Sequence, residues 1–192
     1  MKQYFLGFLV AFFSTVAVAT PIGIGSVTED IDNFYEMSTG TGAVATASIE
    51  AFLGLPAGAL NGLTPSSVIE GSAIKDSIAV EVGDILTFAW EWHTEEPFGS
   101  SRNDFAFFWF SMDGTGVLAD TFSMNGAHGL FSWTASAAGD LTFGFGVLDV
   151  DDSELNSSLA LAVSPFTVPE PLPIALLGIG LAVIGLTKRK AD

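Results

Sequence analysis

The sequence predicts an all-β protein, an antiparallel β-sandwich with a short helical lead-in, between an N-terminal signal peptide and a C-terminal transmembrane helix. From residue 74 onward apolar residues alternate with a period of two, which is typical of strands with one buried face. Gly-Asp pairs separate these segments and no βαβ units are evident, so we expect the strands to pair antiparallel. The apolar runs at the two chain ends lie outside this pattern.

Residues 1–19 have the composition of a secretory signal peptide. Lys2 supplies a positive charge, residues 4–18 are mostly apolar, and Ala17 and Ala19 form an Ala-x-Ala cleavage site. The mature chain is therefore predicted to begin near Thr20. We divide the remainder into a lead-in over residues 20–70, a β-sandwich domain over residues 71–167 and a membrane-directed tail over residues 168–192.

The tail has three consecutive parts. It begins with Val168, Pro169, Glu170 and Pro171, continues with an uncharged apolar run over residues 172–187, and ends close to Lys188, Arg189 and Lys190. As a helix the apolar run is roughly 24 Å long, a little less than the ~30 Å hydrocarbon layer. The prolines before it and the cations after it favour a transmembrane helix over the alternative of a buried C-terminal core helix. Lys/Arg clusters remain cytoplasmic, so the body of the chain is predicted to be exported.

This tail resembles the PEP-CTERM sorting signal of Gram-negative bacteria over residues 168–190. The resemblance implies recognition and cleavage by an exosortase-type membrane protease, often alongside exopolysaccharide production. It implies an inner-membrane-anchored precursor with its body in the periplasm, followed by release to the cell surface or the extracellular matrix. The chain departs from the pattern at Leu172-Pro173, where small or hydroxylated residues are more usual, and at Ala191-Asp192, which follow the basic cluster.

In the lead-in, residues 48–55 predict a short helix. Ser48 is expected at its N-cap and Glu50 in its first turn, with an end at Gly54 or before Pro56.

The body is predicted to contain at least six strands. They cover residues 78–82, 86–92, 105–110, 130–135, 141–150 and 159–167. Residues 105–110 are apolar on both faces, which indicates a central strand covered on both sides. Residues 71–84, 88–90, 103–107 and 144–150 also resemble galactose-binding-like jelly rolls found ahead of PEP-CTERM tails. That resemblance extends over residues 71–167 and implies a fold rather than an activity.

The exported part is strongly acidic and contains no cysteine. Of the chain's 22 acidic residues only Glu170 and Asp192 lie outside residues 20–167, where the cations are Lys75 and Arg102 alone. This balance argues against a nucleic-acid partner, because phosphate binding needs a basic surface. The absence of cysteine excludes disulfides and thiol catalysis, so stability must come from core burial or from bound metal.

Two acidic clusters are candidate Ca²⁺ ligands, because carboxylate and amide oxygens suit this ion. The first is Glu95, Glu96, Asn103 and Asp104, and the second is Asp149, Asp151 and Asp152. The alternative is that both are ordinary solvated loops. The EF-hand register is absent. A structural Ca²⁺ would tie the loops together in a domain without disulfides.

Catalytic residues are not predicted. The sequence has no nucleophile elbow, no His-Glu-x-x-His helix and no phosphate loop, and His93 is expected as a strand-end surface residue. The acidic residues provide possible carboxylate pairs for a glycosidase, but they are too numerous to single one out. The four tryptophans are expected in the core, and Trp92 is the candidate for sugar stacking because it lies near a strand end.

Three classes of function fit these features. The favoured one is an exported, noncatalytic protein of the cell envelope or extracellular matrix, sorted by its tail and associated with exopolysaccharide or biofilm. The first alternative is a calcium-assisted carbohydrate-binding module. The second is a glycan-processing enzyme.

Overall fold

The computed structural model describes residues 20–30 and 34–163, which form two antiparallel sheets packed face to face. Sheet A has the strand order β1-β5-β10-β7-β8, with β4 also paired to β5, and sheet B has the order β2-β3-β11-β6-β9. The strands are β1 (Ile22–Ile24), β2 (Ser26–Asp30), β3 (Phe34–Ser38), β4 (Val44–Ala45), β5 (Val68–Val80), β6 (Ile85–Thr94), β7 (Phe105–Phe110), β8 (Gly114–Asp120), β9 (Ala127–Thr134), β10 (Gly139–Val150) and β11 (Ser157–Val163). The predicted antiparallel sandwich is confirmed.

The predicted signal peptide and the predicted tail both lie outside the described residues. Within residues 20–30 and 34–163, no helix combines the length and apolarity needed to cross a membrane.

The sandwich begins earlier in the chain than the sequence predicts. Four strands precede residue 46, and the expected boundary at residue 71 falls inside β5. Strand β3 lies between β2 and β11 in sheet B, and its Tyr35 and Met37 are buried in the core. Short strands with mixed composition such as Phe34–Ser38 carry a weak alternation signal, and pairing with longer neighbours stabilises them.

The lead-in helix α1 (Thr46–Leu53) has its N-cap three residues earlier in the chain than predicted. Its N-cap is Ala45, whose side chain cannot cap, so the expected N-cap at Ser48 is wrong. The end at Gly54 is confirmed: this residue has φ +81°, a left-handed conformation that glycine adopts without steric cost. Glu50 lies beyond the first turn, buried, and its carboxylate accepts the backbone N–H groups of Gly58 and Leu60, each at 2.9 Å.

Two strands of the body agree closely with the alternation of the sequence, whereas β5 (Val68–Val80) begins ten residues before the predicted segment 78–82 and ends two residues before it does. The segment 86–92 lies within β6, and the segment 105–110 coincides with β7. Gly83-Asp84 forms the expected turn, in which Asp84 N–H donates to the Glu81 carbonyl at 3.1 Å. By contrast, Gly139-Asp140, expected as a turn, begins β10, and the sequence pattern missed β8.

Sheet A is covered on both faces. Between the sheets, phenylalanines from β6, β7 and β10 pack together, with the Phe88 and Phe145 ring centroids 4.5 Å apart. On the opposite face of sheet A, α1 places Ile49 and Leu53 in a second cluster with Phe105 and Phe107. The prediction that the 105–110 strand is covered on both sides is therefore confirmed. Among the described residues, nothing comparable covers the outer face of sheet B.

The chain passes from sheet A to sheet B at Gly25, between β1 and β2. This residue has φ +86°, and a Cβ built on it would lie 2.5 Å from Ser72 Oγ. Ser72 is buried, accepts the Ser26 N–H at 2.8 Å and donates to the Ser38 carbonyl at 2.6 Å. A glycine is thus needed here because the crossing strand lies against a buried hydroxyl that joins the two sheets.

Candidate functional site

The two predicted acidic clusters meet at one end of the sandwich. Asp104 directly precedes β7 and Asp149 is the penultimate residue of β10, its neighbour in sheet A. The exposed fractions of Asp104 and Asp149 are 1% and 2%. Their carboxyl groups are hydrogen-bonded to each other. Residues separated by more than forty positions in the chain therefore form one buried carboxylate pair.

Asp104 joins the two sheets through a chain of hydrogen bonds. Its Oδ1 accepts the Val150 N–H at 3.0 Å and its Oδ2 accepts the Ser157 hydroxyl at 2.7 Å. Ser157 opens β11 in sheet B, and its Oγ lies 2.8 Å from Thr94 Oγ1 at the end of β6. The Ser157 N–H donates to Thr39 Oγ1 at 2.9 Å. Both oxygens of Asp104 are thus committed to protein donors in the interior.

The environment raises the pKa of both carboxyl groups. Burial raises the pKa of Asp104 to about 6, and Glu96 adds to this, while the bonds from Ser157 and Val150 oppose it. Burial also raises the pKa of Asp149 to about 8, with further contributions from the negative charges of Asp104 and Asp152. Two like charges in contact inside a protein are unfavourable, so the pair shares one proton near neutral pH. Both oxygens of Asp104 already accept hydrogen bonds from Val150 and Ser157, so Asp149 is the member of the pair that carries the proton.

Arg102, two residues before Asp104 in the chain, is paired with the acidic loop that follows β10. Its Nη1 forms an ion pair with Asp152 and another with Glu154 at 3.3 Å. These carboxylates raise the pKa of the guanidinium, with Asp152 the largest cause. Both ion pairs of Arg102 are with loop carboxylates, and among the described residues no ion pair links a cation to Asp104 or Asp149.

The other predicted ligands stabilise loops. Glu95 Oε2 accepts the Asn156 N–H at 3.0 Å, and Asn103 Oδ1 accepts both the backbone N–H and the hydroxyl of Thr121. Asp151 has φ +68°, and its Oδ1 accepts the Ser67 N–H at 3.1 Å. Glu96 is buried, and its negative charge contributes to the raised pKa of both Asp104 and Arg102.

The arrangement fits a metal poorly. Within the part of the chain that the structure describes, no group of three or more His, Cys, Asp or Glu side chains has a geometry that would hold a metal ion. The best-placed carboxylate, Asp104, already accepts two protein hydrogen bonds at 2.7–3.0 Å. A hard cation needs several convergent oxygens that are available to it. The convergence of the two clusters thus produces a buried carboxyl pair, and Ca²⁺ binding by the remaining cluster residues stays one of the two alternatives that the sequence leaves open.

Trp92 does not present a surface for sugar stacking. Its side chain is fully buried between the sheets, and its Nε1 has no hydrogen-bond partner within the described residues. The proximity of a strand end is misleading here, because the Thr94–Ser157 contact and the following loop close that end of the core. His93 next to it is exposed, and its Nε2 lies 3.0 Å from Glu91 Oε1.

The loops at the carboxylate end carry exposed apolar side chains. Phe98 follows β6, and Phe122 and Met124 follow β8; their exposed fractions are 75%, 57% and 78%. The rings of Phe98 and Phe122 meet edge to face with centroids 6.4 Å apart. Strand β11 begins at this end of the sandwich and runs away from it, so the chain leaves Val163 at the opposite end.

An apolar groove lies on the uncovered outer face of sheet B. One row of residues crosses four strands there: Phe34, Ala162, Ala89 and Leu130. The two alanines form the floor, while Phe34 and Leu130 form the rims with exposed fractions of 39% and 75%. The resulting cavity has a volume of about 370 Å³. We call this feature the sheet-B groove.

The next row of the same face is acidic. It consists of Glu36, Ala160, Glu91 and His128. Beyond it, a polar depression of about 280 Å³ is lined by Glu36, His93, Glu95 and Asn156, among other polar side chains. The outer face of sheet B therefore changes from apolar to acidic along the strands.

Sequence reasoning missed the hydroxyl partners of Asp104 and all of the sheet-B groove. The groove had a readable signal, since Ser158, Ala160 and Ala162 alternate with the buried Leu159 and Leu161 on β11. Small residues at every second position indicate a strand face over which something can lie closely. The hydrogen bonds of Asp104 with Ser157 and its hydroxyl neighbours gave no signal in the sequence, because they depend on which strand ends lie next to each other.

No protein-family model matches this chain, and no curated protein is significantly similar to it in sequence.

Proposed function

We propose that this protein is an exported, noncatalytic component of the cell envelope or extracellular matrix, sorted by its C-terminal signal. The observation that carries the proposal is the order of Pro169-Glu170-Pro171, an apolar run and Lys188-Arg189-Lys190, behind a predicted signal peptide. Export would place the sandwich in the periplasm and then at the cell surface or in the matrix, where exopolysaccharide is the expected neighbour. The partners in sorting would be the export machinery and an exosortase-type protease.

The described domain supports a structural role for the exported part. The two carboxyl groups with the most strongly raised pKa, those of Asp104 and Asp149, are 1–2% exposed and hydrogen-bonded in the interior. Such buried groups connect parts of the fold and do not face a substrate. A glycosidase needs two carboxyl groups facing a substrate groove at about 5–10 Å from each other. The surface carries a large excess of negative charge, which keeps an exported protein soluble. We assign the sandwich to the jelly-roll-like class as part of the same proposal.

The experiment that tests the proposal is a comparison of mature forms in a host that carries an exosortase. We expect the wild-type chain to begin near Thr20 and to lack Lys188–Lys190 when intact mass is measured. Glu170→Ala and Pro169→Ala should leave an uncleaved form in the inner membrane, because the protease would lose its recognition element. Asp140→Ala, which removes an exposed carboxylate of β10, is the matched control and should be processed normally.

A wild-type mature protein that still carries residues 188–190 would contradict cleavage and would indicate simple anchoring. An intact chain in the cytosol, with residues 1–19 retained, would contradict export altogether.

A further inference from the structure

We propose that the sheet-B groove is a docking site for the chain's own basic-apolar tail, residues 181–190, when that tail is not inserted in a bilayer. The inference does not depend on cleavage of the tail or on its recognition by a protease. It rests on the shape of the groove, on the charges next to it, and on the point at which the described chain ends.

The shape of the groove suits a helix. Phe34 and Leu130 lie on β3 and β9, which are separated by β11 and β6. With neighbouring strands about 4.8 Å apart, the two rims are roughly 14 Å from each other. A helix with its side chains is about 10–12 Å in diameter. The alanine floor would allow such a helix to approach the sheet closely, and the two larger rim side chains would pack on its flanks.

The charges next to the groove match the tail. Residues 181–187 are uncharged and mostly apolar, and Lys188, Arg189 and Lys190 follow at once. On the sheet, the apolar row is followed along the strands by a row with Glu36 and Glu91, and then by Glu95. Two residues of a strand cover about 7 Å, a distance that lysine and arginine side chains span easily. An apolar segment ending in cations therefore meets an apolar surface ending in carboxylates.

The short covalent link between β11 and residues 181–190 favours this segment as the occupant of the sheet-B groove. The chain leaves β11 at Val163, one residue beyond the groove-floor Ala162, so the tail starts beside its proposed site. The intervening residues 164–180 are numerous enough for the chain to turn back to the groove, since even eight extended residues reach about 27 Å. A short tether of this kind gives an effective concentration in the millimolar range. The other occupants, a second copy's tail or a separate partner, lack this advantage.

Disulfide crosslinking tests the proposal, because the chain has no cysteine of its own. The full chain would carry Leu130→Cys with either Leu181→Cys or Ile184→Cys. The control pairs each tail cysteine with Val117→Cys, an exposed position on sheet A with an exposed fraction of 42%. Oxidation would follow dilution from detergent, at several protein concentrations.

We expect at least one Leu130 pair to form an intramolecular disulfide with a yield at least tenfold above that of the Val117 pairs, independent of protein concentration. Adding Glu36→Gln and Glu91→Gln should reduce this yield at least threefold, because the cations would lose their partners. Equal yields for the Leu130 and Val117 pairs would overturn the proposal. Crosslinks found only between chains and lost on dilution would overturn it in favour of a second copy.

Discussion

At the scale of single residues, the most unusual feature is a pair of carboxyl groups inside a domain that has few cations. Asp104 is held by two donors from different strands, whereas Asp149 has Asp104 itself as hydrogen-bond partner. Removing a carboxylate from water costs free energy unless the group is neutral or well bonded. The interior therefore accepts Asp149 in its protonated form, and this has a measurable consequence for the pH dependence of stability.

We expect the free energy of unfolding to fall as pH rises from about 4 to about 8. An unfolded Asp149 ionises near its ordinary pKa of 3.8, whereas burial raises the folded pKa to about 8. Over that window the folded state binds more protons than the unfolded state, so stability decreases with pH, and the full cost is present above pH 8. Asp149→Asn keeps a donor toward Asp104 without the charge. It should stabilise the protein by about 2 kcal/mol at pH 9 and leave its stability unchanged at pH 3, as measured by urea unfolding.

The control for this substitution is Asp140→Asn. Asp140 lies on the same strand but is exposed, so the loss of its charge should change stability by less than about 0.5 kcal/mol at either pH. If Asp149→Asn destabilised the protein at pH 9, the assignment of the proton to Asp149 would be wrong.

At the scale of elements, close approach decides which glycines are required. Gly146 on β10 lies under the Phe107 ring, and a Cβ there would be 2.5 Å from the ring and 2.6 Å from the Ser72 carbonyl oxygen. Because backbone lies on one side, the crowding cannot be relieved by a single side-chain rotation. Gly146→Ala should therefore destabilise the domain by about 2–3 kcal/mol, in thermal or urea unfolding.

Gly62→Ala is the matched control for Gly146→Ala. A Cβ at Gly62 meets nothing within 4 Å, and its φ is not in the left-handed region. We expect the free energy of unfolding of the Gly62→Ala variant to stay within about 1 kcal/mol of the wild-type value. Equal effects of the two substitutions would mean that β10 does not approach β7 and β5 as closely as described.

The elements also show which features of the fold the sequence pattern can predict. The bounds of strand β7 follow from the sequence, because six consecutive apolar residues are stable in a strand only if both faces of that strand are covered. Strands β2 and β3 were missed because six of their ten residues are Ser, Thr, Asp or Glu, so that their pairing partners decide their structure. The N-cap at Ser48 failed because the helix extends back to Thr46 without any side-chain cap. For such short segments, pairing with neighbouring strands outweighs the intrinsic secondary-structure propensity of the residues.

The candidate site was only half predictable for a related reason. The sequence identifies Asp104 and Asp149 as acidic residues at strand ends, but their contact requires β7 and β10 to be neighbours with these ends together. A role as Ca²⁺ ligands would require the carboxylate oxygens of these residues to stay available to the ion. Ser157, which takes one oxygen of Asp104, is 53 residues away in the sequence, and its position depends on the packing of one sheet against the other.

At the scale of the whole molecule, charge is the dominant property. The chain carries a formal net charge of −16, so the folded domain repels itself at low ionic strength. Raising NaCl from 20 mM to 500 mM shortens the screening length from about 20 Å to about 4 Å and should raise the Tm by roughly 5 °C in calorimetry.

The same ionic strength supplied as tetramethylammonium chloride should raise the Tm equally, because screening does not depend on the identity of the cation. A rise produced only by low millimolar Ca²⁺ would instead reveal a specific cation site. That result would contradict the view that Asp104, whose two oxygens already accept protein hydrogen bonds, is a poor metal ligand.

The direction of β11 places the loops with Phe98 and Phe122 and the last described residue, Val163, at opposite ends of the sandwich. The strand starts beside the loops with Phe98 and Phe122 and ends, seven residues later, where the chain continues toward the tail. The two ends of the sandwich are thus about 20 Å apart along this strand. A contact made at Val163 therefore leaves the loops with Phe98 and Phe122 accessible at the far end of the domain.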